Sequence, residues 1–232
     1  MTNPESSAPT YDGDAVRYAA YLVYRRAGAP EGDAAALTAE LAGFTRELAA
    51  QDIVTRGIYD VTAMRADADL MLWLHAPSAE LLQSAARRFR STAVGRSLEM
   101  SWSAVGLHRQ SEFNREHQPA FIQGKPAGRW VAVYPYQRSY EWYLLPPTER
   151  AALLGEHGRM GRDYPRVWNN TIAAFALGDY EWLLAVESDE LDQIVDLMRH
   201  LRGSATRRHV RLETPFYTGR RIEAAEVPGV LA

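Results

Sequence analysis

The sequence predicts an α+β fold made of two ferredoxin-like repeats that close into a barrel of the dimeric α/β type. Three observations predict it. DLMLWLHAPSAEL at residues 69–81 resembles DYEWLLAVESDEL at 179–191, so one unit occurs twice, with residue 69 aligned on 179 and residue 80 on 190. In both halves the apolar residues switch from alternation to helical spacing in the same order. Between the halves, residues 111–128 are polar and carry Gly and Pro, which reads as a linker.

Taken in order, residues 1–14 are polar and contain Pro, and read as a disordered tail. The first half, 15–110, opens with a strand at 18–25 (YAAYLVYR). Asp33 then stands where it caps a helix whose apolar face is Leu37, Leu41, Phe44 and Leu48. A strand near 58–65 leads to the repeated strand, which ends at Ser78, an N-cap with Glu80 in the first turn. Leu81, Leu82, Ala85 and Phe89 face inward from that helix, and a strand at 97–107 follows.

The second half, 129–222, repeats the order. Its strand is 130–136 (WVAVYPY), and Pro147 suits the first turn of a helix carrying Leu153, Leu154 and His157, with Gly158 as its end. A strand near 171–177, the repeated strand with Ser188 as a cap, a helix with Leu191, Ile194, Val195, Met198 and Leu201 on one face, and a strand at 209–218 complete it. Residues 223–232 read as a second loose tail. Each half is therefore β-α-β-β-α-β. Its helices cover one sheet face and leave the other bare. Two bare faces pressed together make a pseudo-symmetric barrel whose interior is either plain core or room for a flat cofactor. Duplication alone favours plain core.

Composition narrows the function. Lys plus Arg is 26 and Asp plus Glu is 29, a net charge of −3, so no general basic field draws in nucleic acid. With zero Cys, disulfides, thiolate metal sites, iron–sulfur clusters and covalent C-x-x-C-H heme attachment are excluded. That suits a reducing cytoplasm. No apolar run approaches the roughly 20 residues of a membrane span, and the first residues lack the two regions of a signal peptide. The expectation is a cytoplasmic protein.

Six His are present and none shows H-E-x-x-H spacing. His157 shares a helical face with Leu153 and Leu154, where a core or capping role is commoner than metal ligation. Tyr134 shares a strand face with Trp130, Ala132 and Tyr136. Core packing and a redox-active phenol are both open for it. No Gly-rich phosphate loop or nucleophile elbow occurs.

Longer motifs supply what the pattern leaves open. WVAVYPYQRSYEWYLLP at 130–146 runs into Glu149-Arg150, then EHGRMGR at 156–162 and MRHLRGS at 198–204. In this order they resemble the coproheme decarboxylases of the actinobacterial branch, within the chlorite dismutase-like superfamily, over about residues 15–222. The resemblance implies hydrogen peroxide-dependent decarboxylation of two propionates of Fe-coproporphyrin III (coproheme) to vinyl groups, giving heme b, with coproheme both substrate and cofactor. It implies His157 as axial ligand of the iron, Tyr134 as the phenol that becomes a radical, and His117 as the distal group that shuttles the peroxide proton. Arg138, Arg199 and Ser204 match positions near the propionates, and Trp142 an aromatic near the substrate. The firmicute branch has a distal Gln instead, so peroxide activation differs here. A homopentamer and a transient ferrochelatase contact are further implications. The rival readings are a chlorite dismutase-like heme enzyme, which needs a distal Arg, and a heme-binding or sensing module, which has no need of Tyr134.

Overall fold

The computed structural model describes residues 16–109 and 118–232. The first repeat is β1 (Arg17–Arg26), α1 (Ala34–Ala49), β2 (Val54–Asp60), β3 (Leu70–Ala76), α2 (Ala79–Ser91), α3 (Ala93–Arg96) and β4 (Leu98–His108). The second is β5 (Trp130–Arg138), α4 (Pro147–Gly161), β6 (Trp168–Ala173), β7 (Trp182–Ser188), α5 (Leu191–Leu201), β8 (Val210–Leu212) and β9 (Tyr217–Ile222), followed by α6 (Val227–Val230). Strands run β7-β6-β4-β1-β3-β2-β9-β5, and β5 pairs back onto β7, so the sheet closes. All pairings are antiparallel. Within each repeat the order is the ferredoxin-like one, β4-β1-β3-β2 and β9-β5-β7-β6.

The repeats meet at two thin seams. Leu107 faces Ala173 between β4 and β6, and Ile58–Asp60 face Arg220–Ile222 between β2 and β9. Each seam has a glycine where no Cβ fits: one on Gly106 would stand 2.5 Å from Ile172 Cδ1, and one on Gly219 2.9 Å from Tyr59 Cβ.

Alternation along β5 sends Val131 and Val133 inward and Ala132 and Tyr134 outward under the helices. The interior is solid: Tyr21, Tyr59, Met71, Trp73, Ile172 and Leu183 fill it. Of the two alternatives for the interior, plain core, which duplication alone favours, is the one found. Phe121 helps close it, edge-on to Trp73 at 5.9 Å, so the stretch read as a polar linker buries Ala120, Phe121 and Ile122.

Other sequence expectations shift for local reasons. The strand expected near 58–65 ends at Asp60, whose side chain takes the Thr62 N–H at 3.0 Å and turns the chain. The strand expected near 171–177 ends at Ala173. That at 209–218 splits into β8 and β9 around Pro215, which has no N–H for the ladder. Asp33 and Ser78 cap as expected. Ser188 instead accepts from Glu190 N–H and bonds the Arg166 carbonyl, while Glu190 stands at the cap. Val195 is exposed, and Leu197 takes its place in the buried stripe with Ile194. Residues 223–232 are no loose tail: Val227 and Leu231 are fully buried in the core under α1.

One ion pair crosses the interior. Arg56 of β2 and Glu187 of β7 meet at 2.9 Å with both side chains buried. Glu187 also accepts from Gly128 N–H and Asn170 Nδ2, and Arg56 donates to the Lys125 and Pro126 carbonyls. Burial pushes the Glu187 carboxyl up, against the pull of Arg56. Arg56→Met strands that carboxyl and should cost about 3–5 kcal/mol, read as a fall in urea midpoint. Arg56→Met with Glu187→Leu should recover most of it; failure to recover would mean that packing, not the orphaned charge, sets the cost.

Candidate functional site

The two outer faces are built from equivalent elements and differ in how they are covered. In the first repeat α1 buries Leu37, Leu41, Phe44 and Leu48 against the sheet. In the second α4 buries nothing: Leu153 is half-buried and Leu154 is 47% exposed. Its packing is against α5 and the turn Ala205–His209. The sheet beneath is left partly open, with Tyr136 opposite Trp182 and Tyr134 opposite Leu184. In the first repeat the position opposite Leu74 is Ala20, so only the second repeat lifts an aromatic there. A half-empty layer between helix and sheet is where a ligand fits.

His157 lies on α4, which continues past Gly158 to Gly161 rather than ending there. Its Nδ1 lies 3.3 Å from Thr206 Oγ1, and Thr206 Oγ1 lies 3.0 Å from Ser204 Oγ. With Nδ1–H donating to Thr206, the Nε2 lone pair is available to a ligand. Burial pushes the imidazole below its usual range, Arg138 acts the same way, and Glu156 and Glu213 oppose them. A neutral imidazole at pH 7 follows. A ligand at Nε2 competes with a proton only below this lowered value. Affinity for a metal-centred ligand at Nε2 should therefore stay flat as pH falls through about 6.5, the ordinary imidazole value, and drop only at lower pH. A titration series from about pH 8 to 5 checks this; an affinity that halves near pH 6.5 would mean an unshifted His157.

Arg138 ends β5 with its guanidinium 3.9 Å from the Trp142 ring centroid and 4.7 Å from that of Tyr136. Burial disfavours its charge, and its Nη1 is buried without a hydrogen-bond partner among the described residues. A buried, unsatisfied cationic donor is a vacancy for an anionic oxygen. Trp142 is itself buried beneath that guanidinium and beside His209, so it acts as a platform for Arg138.

Tyr134 is buried, stacked on Phe216 at 4.4 Å, and its hydroxyl reaches only Met198 Sδ at 3.6 Å. Burial raises its pKa. Met198 and Phe216 continue into a groove of about 450 Å³ lined also by Ala132, Arg199, Arg202 and Thr218. Arg202 pairs with Glu213 at 2.9 Å, whereas Arg199 has no ion-pair partner among the described residues. Along β5 the order is thus Ala132 at the Arg199 groove, Tyr134, then Tyr136 and Arg138, six residues at about 3.3 Å each.

Ser204 is buried behind His157 through Thr206, not on the open wall. His117 lies outside the described residues. Sequence reading missed Thr206, whose only signal is its place two residues after Ser204, and Trp182 and Phe216, which look like ordinary core aromatics in sequence. Among the described residues no three His, Asp or Glu side chains gather to hold a metal.

The Chlorite dismutase family profile matches residues 34–222. The chain belongs to the chlorite dismutase family. Within this family, a coproheme decarboxylase of Mycolicibacterium smegmatis is 51% identical over 209 residues, 89% of this chain and 90% of that protein. A Halobacterium salinarum protein named as heme-binding is 27% identical over 97% of this chain and 50% of its own length. The structure of chlorite dismutase from Candidatus Nitrospira defluvii in complex with imidazole superposes with a TM-score of 0.81 at 20% identity, over 95% of this chain and 96% of that one. That likeness carries the fold, two repeats around a closed barrel. No helix among the described residues is long and apolar enough to cross a membrane.

Proposed function

We propose that this protein is a coproheme decarboxylase: with hydrogen peroxide it converts two propionates of Fe-coproporphyrin III to vinyl groups and yields heme b. The observation that carries the reading is 51% identity to a coproheme decarboxylase over nearly the full length of both chains. The half-open layer under α4, the helix that carries His157, and the Arg138 donor that has no partner among the described residues support it.

Bound coproheme supplies the iron that reacts with peroxide and the propionates that lose CO2. His157 Nε2 would hold the iron, its tautomer set by Thr206 and, through it, Ser204. Arg138 takes one propionate carboxylate and Arg199 another, on either side of Tyr134 along β5. Among the described residues the Tyr134 hydroxyl meets only a weak thioether acceptor, Met198 Sδ. Its phenol would give up electron and proton together, as a hydrogen atom, to the bound coproheme after peroxide has oxidised it. The phenoxyl would then take a hydrogen atom from a propionate β-carbon and become a phenol again, and the carbon radical would pass its second electron to the remaining oxidising equivalent of the same peroxide as the carboxyl leaves as CO2. Each propionate consumes one peroxide and releases one CO2 and two waters. His117 is our assignment for the group that moves the peroxide proton. A cytoplasmic homo-oligomer, a pentamer by resemblance, completes the reading.

The test is the mass of the porphyrin after coproheme-loaded protein meets peroxide. Loss of two formic acid equivalents is expected; unchanged mass overturns the proposal. For the propionate contacts, a charge-assisted hydrogen bond is worth about 1.5–3 kcal/mol. Arg199→Ala should weaken coproheme by roughly 10- to 150-fold, and heme b, with two fewer carboxylates, by less. Equal weakening of both ligands in fluorescence-quenching titrations would assign Arg199 to structure instead.

A further inference from the structure

We propose that Trp182, Tyr143 and Glu181 form a proton-coupled relay that carries stray oxidising equivalents from the Tyr134 site to the surface. The inference rests on the decarboxylase reading of that site.

Trp182 stands opposite Tyr136 on the sheet face that carries Tyr134, and diagonal neighbours on such a face lie about 7–8 Å apart. Trp182 Nε1–H donates to Tyr143 Oη at 3.0 Å, and the Tyr143 hydroxyl donates to Glu181 Oε2 at 3.0 Å. The same carboxylate oxygen accepts the Arg138 backbone N–H at 2.9 Å, which fixes it beneath the phenol. Phe175 packs edge-on against both rings, 5.4 Å from Trp182 and 6.2 Å from Tyr143.

The contrast with Tyr134 gives this chain its chemistry. One-electron oxidation turns a phenol into a strong acid, so a phenol already bonded to a carboxylate is the easier one to oxidise. Among the described residues Tyr134 has only a thioether; Tyr143 has Glu181 and is partly exposed. Trp182 would give one electron to bound coproheme that peroxide has oxidised. Trp182 recovers it from Tyr143, whose proton passes to Glu181. An external one-electron reductant, such as ascorbate, returns the electron at the surface, and Glu181 returns the proton. The oxidant is then discharged without bleaching the porphyrin.

The experiment uses full-length protein loaded with coproheme, with the Soret band confirming loading, excess peroxide, a nitrone spin trap and peptide mapping by mass spectrometry. Tyr140 is the internal control, because it is 73% exposed against 41% for Tyr143. Random attack favours Tyr140. The relay predicts several-fold more adduct at Tyr143, its loss in Trp182→Phe with Tyr140 labelling unchanged, and a several-fold decrease in Glu181→Gln. Tyr143→Phe should retain the Soret band and bleach several-fold faster per peroxide added. Labelling at Tyr140 equal to or above that at Tyr143, or a Tyr143 adduct indifferent to both Trp182→Phe and Glu181→Gln, overturns the relay. Absence of a Soret band in wild type overturns the decarboxylase reading and the relay with it.

Discussion

Tyr134→Phe is expected to bind coproheme nearly as well as wild type and to leave all four propionates intact after peroxide. The substitution keeps the ring that stacks on Phe216 at 4.4 Å. It removes only the hydroxyl, whose single contact is the Met198 thioether. Little binding energy resides in so weak a bond, so affinity should change by no more than about twofold to threefold, well under 1 kcal/mol. Decarboxylation should fall to the background of peroxide damage, because no other phenol shares the buried stretch of β5 facing the half-open layer; Tyr136 is held under the Arg138 guanidinium. Mass spectrometry of the extracted porphyrin reads the outcome directly. Normal heme b formation by this variant would move the radical role to another residue.

His157→Ala is expected to remove the iron–nitrogen stretch from resonance Raman spectra and to weaken coproheme strongly. Loss of an outer-shell partner alone costs a metal site about 10- to 100-fold, and loss of the donor itself should cost at least that. Thr206→Val is the graded companion. It takes away the hydroxyl that lies 3.3 Å from His157 Nδ1 while keeping the side-chain shape, so the stretch should shift to lower frequency with a smaller loss of affinity. An unchanged stretch in His157→Ala would transfer ligation elsewhere. An unchanged frequency in Thr206→Val would mean that the Nδ1 hydrogen bond does not tune the donor.

Much of this architecture is legible in linear form. The 110-position echo between residues 69–81 and 179–191, the Asp33 and Ser78 caps and the alternation of β5 all rest on neighbours one to four residues apart. Where the reading slipped, a partner distant in sequence intervened. Val227 and Leu231 look like the end of a polar tail, yet they are buried because α1 and its core offer them an apolar seat. Ala120, Phe121 and Ile122 sit in a Gly/Pro-rich stretch, yet they close the barrel against Trp73 and His75. Pro215 splits a strand whose composition otherwise suits one.

The same division runs through the site. Spacing and residue type carry the duplicated α+β plan and the lack of any thiolate chemistry, whereas His157, Tyr134 and Arg138 stand out only through the resemblance of their motifs to a known family. The tertiary structure decides that the barrel interior is filled, that α4 stands clear of its sheet where α1 does not, that Arg138 holds an unpaired donor, and that Thr206 stands behind His157. Each depends on whether atoms from separate elements fill a given volume or pair with a given polar group, and no periodicity along one strand or helix records that.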